Sequence, residues 1–210
     1  MKRIILLISL LISSHLVFSQ NQREEYLEVL KTRSQKILNT SELENHSSVN
    51  VLLKEMIDYY DKINSNAEGL KKELDNLKAS GNNQVDQIKS IEGKYQQHAF
   101  DIYNAFVSTI SLHIDKRQVE SIVDGITYGI LPRTYNAYLA MIPNLKDGQK
   151  KIILDMLKEA RDLAIIGSDS KQRHAAFGKY KGRINNYLSK EGYDLKKEGE
   201  KWKERINKDS

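Results

Sequence analysis

Two long stretches of the chain place an apolar residue at every third or fourth position, which is the spacing of one helix face. The first stripe covers residues 49–77 and the second covers residues 85–110. The four residues between them, Ser80-Gly81-Asn82-Asn83, are typical of a turn. Two such stripes joined by a short turn predict a long antiparallel helical hairpin over about residues 42–113.

Shorter apolar stripes predict further helices on both sides of this hairpin. With the hairpin included, the predicted helices cover residues 22–38, 42–79, 85–110, 116–124, 132–142, 145–166, 170–188 and 194–207. N-caps are expected at Ser41 (with Glu44), Asp115, Asn144 and Asp169, whose side-chain oxygens can accept free helix N–H groups. Two Pro and 11 Gly leave little material for the turns of a β-sandwich or barrel. The predicted fold is an all-α helical bundle of about seven or eight helices.

The N-terminus has the pattern of a secretory signal peptide. Lys2 and Arg3 precede an apolar run of about fifteen residues, Ile4 to Phe18. A spanning helix needs about 20 residues, so this run fits a cleaved leader better than an anchor. Cleavage after Ser19 would leave a single domain, residues 20–210, exported to the periplasm or beyond without a stable membrane span. An uncleaved N-terminal anchor is the alternative.

Several kinds of chemistry are excluded or left without a motif. The chain has no Cys, which excludes disulfides, thiolate metal sites and Cys nucleophiles. No two of its histidines have the i, i+4 spacing of a helical metal site, and there is no glycine-rich phosphate loop. We therefore expect no metal and no cofactor.

The charge is unevenly distributed along the chain. Residues 171–210 hold 12 Lys and Arg against 6 Asp and Glu, whereas residues 20–170 hold 19 against 22. A basic region can attract a polyanion. Export makes nucleic acid an unexpected partner, and a solvated Lys-rich surface is the simpler interpretation.

Two segments carry the residue types that bind sugars. Flat aromatic rings pack on the C–H face of a pyranose, while Arg, Asn and Asp side chains bond its hydroxyl groups. One segment follows Asp124 into the bend predicted at Gly125–Pro132, and the other lies within residues 174–187. The candidate ligand-binding residues are Asp124, Tyr128, Arg133, Tyr135, His174, Lys179, Tyr180, Arg183 and Asn186.

A structural interpretation of the same residues stays open. Four apolar residues of the second segment are spaced as a core stripe: Phe177, Tyr180, Ile184 and Tyr187. Gly178 and Gly182, four residues apart, would let another helix or a ligand approach closely. Asp124 is either a helix-end residue that bonds the bend or, in an enzyme, an acid or base. No catalytic residue is predicted, and the chain is more consistent with a non-enzyme.

The motifs of the second half carry a family resemblance. They are Tyr-x-x-Leu-Pro-x-Thr-Tyr, Phe-Gly-Lys-Tyr-Lys-Gly-Arg-Ile-Asn-Asn-Tyr and Gly-Tyr-Asp, all within residues 123–208. This stretch resembles a domain-of-unknown-function family of exported proteins from polysaccharide-degrading Gram-negative bacteria, described as sugar-binding. The N-terminal half, residues 26–64, fits more loosely. The resemblance implies sugar binding and brings no catalytic residue with it.

Three functions are compatible with these patterns. The first is an exported, non-catalytic protein that binds carbohydrate or assists polysaccharide utilisation. The second is an enzyme acting on an acidic glycan, in keeping with the basic C-terminal region. The third is a structural or partner-binding protein whose contact surface is the polar hairpin tip, residues 67–92.

Overall fold

The computed structural model describes residues 2–81 and 85–208, with side chains described from Asn21 onward. The described residues form eight helices without a strand. The all-α class is therefore confirmed. The helices are α1 (Lys2–Thr40), α2 (Val49–Ala79), α3 (Val85–Ile110), α4 (Lys116–Ile126), α5 (Ile130–Met141), α6 (Asp147–Ile165), α7 (Ser170–Lys190) and α8 (Leu195–Lys208).

The chain divides into two units, Met1–Asp61 and Lys62–Ser210. The first unit contains α1 and the beginning of α2, and the second contains the remaining helices. Within the described residues, no helix is both long and apolar enough to cross a membrane.

In the first unit, the capping box predicted at Ser41 is wrong because Ser41 belongs to the end of α1. The Leu43 N–H donates to the Leu38 carbonyl at 2.9 Å and the Glu42 N–H to the Asn39 carbonyl at 3.1 Å. These two bonds, with Glu42 at a φ of 57°, form a Schellman motif. Leu38 and Leu43, which the motif brings together, are both buried. The next helix, α2, begins at Val49 and not near residue 42 as predicted.

The inner face of α1 is confirmed in part. The 3/4 spacing of residues 22–38 predicts a face of Tyr26, Val29/Leu30, Arg33 and Ile37. Leu30 and Ile37 are buried as predicted, together with Ser34. Val29 is 58% exposed and Arg33 is exposed, so these two residues do not belong to the buried face.

In the second unit, α2 from Lys62 onward packs against α3. The Asn66 side chain donates to the Tyr95 carbonyl at 2.9 Å, and Lys94 Nζ lies 2.8 Å from Glu73 Oε2. The bounds of α3 agree with the prediction. The predicted turn begins as expected at Ser80-Gly81, and Asn82-Asn83 lie outside the described residues.

Side-chain caps begin two helices as predicted. Asp115 and Gln118 form a reciprocal capping box on α4, with both bonds at 2.9 Å. Asp169 accepts from the Gln172 N–H at 2.7 Å and begins α7. The cap predicted at Asn144 is wrong, because α6 begins at Asp147 with the Gln149 side chain accepting from the Lys146 N–H at 3.0 Å.

The core of the second unit is built by α5, α6 and α7. Its buried residues are Ile130, Leu131, Tyr138, Ile142, Leu145, Ile153, Leu157, Ala160, Ala164, Phe177, Tyr180, Ile184 and Leu188. The core interpretation of the 177–184 stripe is confirmed, and Tyr187 packs against the same cluster while partly buried. The alternating three- and four-residue spacing places these α7 side chains on one helix face.

The predicted bend connects α4 to α5. Tyr128 and Gly129 have φ values of 62° and 61°, so the backbone turns through two left-handed residues. Thr127 is fully buried, and its Oγ1 donates to the Val123 carbonyl at 3.0 Å. Pro132 falls in the first turn of α5, where its missing N–H costs no helix bond.

Candidate functional site

Helices α5, α7 and α8 enclose a groove of about 470 Å³. Its lining comes from one face of each helix. The lining residues are Arg133, Thr134, Ala137, Tyr138 and Met141 of α5, Lys181 and Asn185 of α7, and Leu195 and Trp202 of α8. The groove therefore combines an indole, a phenol, an amide and two cationic side chains.

The α7 wall follows from helix periodicity. Lys181 and Asn185 are four residues apart, so they share a face of α7. That face lies beside the core stripe of Phe177, Tyr180 and Ile184. Burial of the stripe fixes the rotation of α7, which in turn presents Lys181 and Asn185 to the groove.

Tyr138 connects the α5 wall to the α7 wall. Its hydroxyl donates to Asn185 Oδ1 at 2.7 Å and lies 3.5 Å from the Lys181 carbonyl oxygen. Burial raises the pKa of the Tyr138 hydroxyl to about 12. The hydroxyl therefore stays protonated at physiological pH and keeps its role as a donor.

The α8 wall is held by polar contacts, since none of the described α8 side chains is fully buried. Arg205 Nη2 donates to the carbonyls of Ala140 at 2.8 Å and Met141 at 3.1 Å. These carbonyls belong to the last turn of α5, where no helical N–H remains to bond them. A cation there also opposes the negative end of the helix dipole.

The turn before α8 is fastened to α6. The Tyr193 hydroxyl donates to Gln149 Oε1 at 2.9 Å, and Gln149 Nε2 donates to Glu191 Oε2 at 2.9 Å. Gly192 has a φ of 91°, a conformation that favours glycine. Asp194 accepts from the Lys197 N–H at 3.1 Å and starts α8. The Gly-Tyr-Asp motif thus positions the helix that carries Trp202.

Three predicted site residues come together at the edge of the groove. The rings of Tyr128 and His174 lie 5.4 Å apart between centroids, tilted by 31°. Arg133 Nη2 donates to the Tyr128 carbonyl at 3.0 Å. Because Arg133 also lines the groove, it joins the Tyr128–His174 ring pair to the groove.

The sequence profile of one protein family matches residues 27–208, which is most of the chain. The family is described as a protein of unknown function, DUF3826. The chain belongs to this family. The match includes every residue of the groove and extends into the N-terminal half of the chain. A comparison with curated proteins finds no match.

Other predicted site residues of the DUF3826 domain lie elsewhere. Tyr180 is only 6% exposed and Tyr135 packs partly buried against the core, so both mainly support the fold. Lys179, Arg183 and Asn186 are exposed on α7 but do not line the groove. The Arg183 guanidinium lies 4.7 Å from the centroid of the Tyr180 ring.

Asp124 is also separate from the groove. It bonds the bend as predicted, through its backbone carbonyl, which accepts from the Gly129 N–H at 2.7 Å. Arg161 Nη1 donates to Asp124 Oδ1 at 2.8 Å and to Glu120 Oε2 at 2.7 Å. A second cavity, of about 300 Å³, is lined by Glu120, Arg161 and residues of α3 and α4. Burial raises the pKa of the Asp124 carboxyl, and the bond from Arg161 opposes that rise.

The close helix packing predicted at Gly178 and Gly182 of α7 is wrong, because a Cβ at either position would meet nothing within 4 Å. The approach of a ligand at these glycines stays a prediction. Both glycines are exposed. Among the described residues, no group of three His, Asp or Glu side chains could hold a metal ion.

Sequence reasoning missed Tyr138, Lys181 and Trp202 as lining residues of the DUF3826 groove. The 3/4 spacing places Tyr138 and Trp202 on apolar helix faces, which favours helix packing over a binding role. Lys181 has a local signal, since it lies beside the core stripe and four residues before Asn185. Trp202 is the single Trp of the chain, on a strongly charged helix. That combination is the signal that could have identified it.

Proposed function

We propose that the protein is an exported, non-catalytic carbohydrate-binding protein that holds its ligand in the α5–α7–α8 groove. The observation that carries the proposal is the lining of the groove. Trp202 offers a flat apolar ring, while Asn185, Arg133 and Lys181 offer hydrogen-bond donors. Pyranose rings need this combination, because one face presents C–H groups and the rim presents hydroxyls.

The size of the groove agrees with a saccharide ligand. At about 470 Å³ it lies within the range of about 300–1,000 Å³ that small-molecule sites occupy. Its walls are positioned by the core stripe of α7 and by the Arg205 bonds to α5. These contacts hold the three helices of the groove in place before a ligand arrives, which lowers the entropic cost of binding.

The Tyr128–His174 ring pair supplies a second aromatic surface for a longer oligosaccharide. Tyr128 is 37% exposed and has a left-handed backbone that is rare for a residue other than glycine. Such strain is common at binding sites, where the surrounding structure maintains it. Arg133 bonds the Tyr128 carbonyl and lines the groove, so one chain of sugars can contact both surfaces.

Export and a role in polysaccharide utilisation belong to the same proposal. The leader-like pattern of residues 2–19 supports export. The resemblance to exported proteins of polysaccharide-degrading bacteria supports a role beside glycan-degrading enzymes. An exported protein of such a cell would encounter free oligosaccharides outside the cytoplasm.

The test is a calorimetric titration of the purified protein with a panel of neutral and acidic oligosaccharides. Chromatography of the same samples reports any products. We expect saturable binding without products, weakened at least about tenfold by Trp202→Ala. Arg183→Ala is the matched control, because Arg183 is exposed outside the groove and its loss should leave affinity unchanged. Equal binding by Trp202→Ala would place the ligand elsewhere.

A glycan-degrading enzyme is the second candidate, favoured by the Glu120–Arg161–Asp124 cluster beside its own cavity. Two carboxylates close together are what a retaining glycosidase requires. This candidate predicts new reducing ends or unsaturated products that Asp124→Asn abolishes. Absence of both binding and products would favour a protein partner, and deletion of residues 67–92 would then test the hairpin tip.

A further inference from the structure

The charged side chains of the groove are of one sign. Arg133 and Lys181 line it, and none of its described lining residues is acidic. Both side chains are exposed, and neither forms an ion pair with a carboxylate among the described residues. A ligand in the groove therefore meets two cations without a carboxylate in the lining to neutralise them.

The carboxylates on the segment leading into α8 are already engaged. Glu191 accepts from Gln149 Nε2 at 2.9 Å, and Asp194 accepts from the Lys197 N–H at 3.1 Å. Glu198 is paired with Lys201 at 2.9 Å. Residues 171–210, which supply two of the groove walls, hold 12 Lys and Arg against 6 Asp and Glu. The segment that supplies these two walls therefore carries a net positive charge.

Arg133 is held in place while most of its donors stay available. One nitrogen, Nη2, donates to the Tyr128 carbonyl at 3.0 Å, which orients the guanidinium at the edge of the groove. A guanidinium has five N–H donors in a planar fork that matches the geometry of an oxyanion. Lys181 adds a point charge from the opposite wall.

Building on the proposed carbohydrate function, we infer that the groove selects saccharides carrying an oxyanion, either a uronate carboxylate or a sulfate ester. The sugar ring packs on Trp202, and the oxyanion accepts hydrogen bonds from Arg133 and Lys181. Charge-assisted hydrogen bonds are about twice as strong as neutral ones. A neutral saccharide would leave both cations without a partner and gain only the ring and hydroxyl contacts.

The first test compares ligands that differ only in charge. Calorimetry would measure the affinity for a tetrasaccharide of uronic acids, its methyl ester, the corresponding neutral tetrasaccharide and a sulfated form of the neutral one. We expect at least one anionic form to bind about tenfold or more tightly than its uncharged counterpart. Raising the salt concentration should weaken anionic binding and leave neutral binding unchanged.

The second test removes each cation. Lys181→Gln and Arg133→Gln should lower the affinity for the anionic tetrasaccharide towards that of its uncharged counterpart, with the affinity for the uncharged form unchanged. Lys181→Gln is the more decisive variant, because the Lys181 side chain makes no structural bond among the described residues. Arg183→Gln removes the same charge from α7 outside the groove and should change neither affinity.

The outcomes separate this inference from the function on which it rests. Equal affinity for charged and uncharged forms would overturn the inference and leave carbohydrate binding supported. Selective binding that survives Lys181→Gln and Arg133→Gln would also overturn it. Failure of every saccharide to bind would overturn carbohydrate binding itself. Preference for carboxylate over sulfate, or the reverse, identifies which oxyanion the groove takes.

Discussion

The Tyr138 hydroxyl donates to Asn185 Oδ1 at 2.7 Å and so fixes the direction of the Asn185 amide. With its oxygen occupied by Tyr138, the amide presents its NH₂ group as the donor available to a ligand. The bond also joins α5 to α7 across a wall of the groove. A phenol buried in the core thereby orients a polar group that faces solvent.

Replacing Tyr138 with Phe should therefore weaken ligand binding as well as the fold, each by about 1 kcal/mol. The loss of one hydrogen bond costs about 1 kcal/mol of unfolding free energy. The freed Asn185 amide can rotate, so we expect saccharide affinity to fall several-fold. Calorimetry and denaturant unfolding measure the two effects.

Tyr135→Phe is the matched control on the same helix. Tyr135 packs partly buried against the core and does not line the groove. The Tyr135→Phe variant should bind saccharide with the same affinity as the unchanged protein. If Tyr138→Phe binds as tightly as the control, Asn185 does not bind the ligand through its oriented amide.

Gly178→Ala and Gly182→Ala should each stabilise the protein. Both glycines lie inside α7, are exposed, and have nothing within 4 Å of a built Cβ. Alanine in an exposed helix interior is favoured over glycine by about 1 kcal/mol. Urea unfolding of the single and double variants would measure the gain, and a loss of stability would contradict the open environment of these positions.

Gly167→Ala should have the opposite effect. A Cβ there would lie 3.1 Å from the Ala164 carbonyl oxygen and 3.2 Å from the Gln172 Cβ. Both contacts are tighter than ordinary van der Waals packing, and one partner is backbone. Urea unfolding under identical conditions should therefore show a loss of stability in Gly167→Ala and a gain in Gly178→Ala and Gly182→Ala.

Arg205→Met should loosen α8 while the rest of the second unit stays folded. The change keeps much of the apolar stem and removes two hydrogen bonds to the α5 carbonyls. Trp202, the single Trp, lies on the same helix and reports the change through its fluorescence. We expect a red-shifted emission before addition of denaturant. The emission should stay unchanged in Lys203→Met, whose exposed side chain makes no such bond among the described residues.

Asp124→Asn should alter the pH dependence of stability. Burial raises the folded-state pKa of Asp124 above its ordinary value of 3.8. Between these two pKa values the folded protein binds more protons than the unfolded chain, so its free energy of unfolding falls as pH rises. The variant lacks this contribution, and its stability relative to the unchanged protein should therefore increase as pH rises from about 3.8.

The difference between the two proteins isolates Asp124 from other titrating groups. Burial also raises the pKa of Asp162, so part of the downward slope should persist in Asp124→Asn. Chemical unfolding at a series of pH values gives the comparison. A stability difference independent of pH in this range would contradict the raised pKa.

Local patterns predicted most of the fold, because helices are specified by nearby residues. The spacing of apolar residues at every third or fourth position predicts the bounds of α3 correctly. The predicted N-caps Asp115 and Asp169 begin α4 and α7. The capping box predicted at Ser41 is wrong because a cap pattern is ambiguous where one helix ends close to the start of the next. Here the hydrogen bonds of the Glu42 and Leu43 N–H groups end α1, and Ser41 lies in that ending.

The candidate site was predicted only in part, because three helices distant in sequence create the groove. Tyr128, Arg133 and His174 have the residue types of a sugar site and are brought together. Tyr180 also has an aromatic ring of the kind that binds sugars, but its position on α7 directs the ring into the core. The setting of Trp202 on a charged helix marks it as unusual, but its place in the groove follows from the packing of α8 beside α5 and α7.

Titration of Trp202 fluorescence would show whether a saccharide binds beside Trp202. Because the chain has a single Trp, every change in indole emission arises at this position. We expect a saturable change on addition of an anionic oligosaccharide, with the same dissociation constant as calorimetry. Calorimetric binding without any change in Trp202 emission, or no binding by either method, would contradict this expectation.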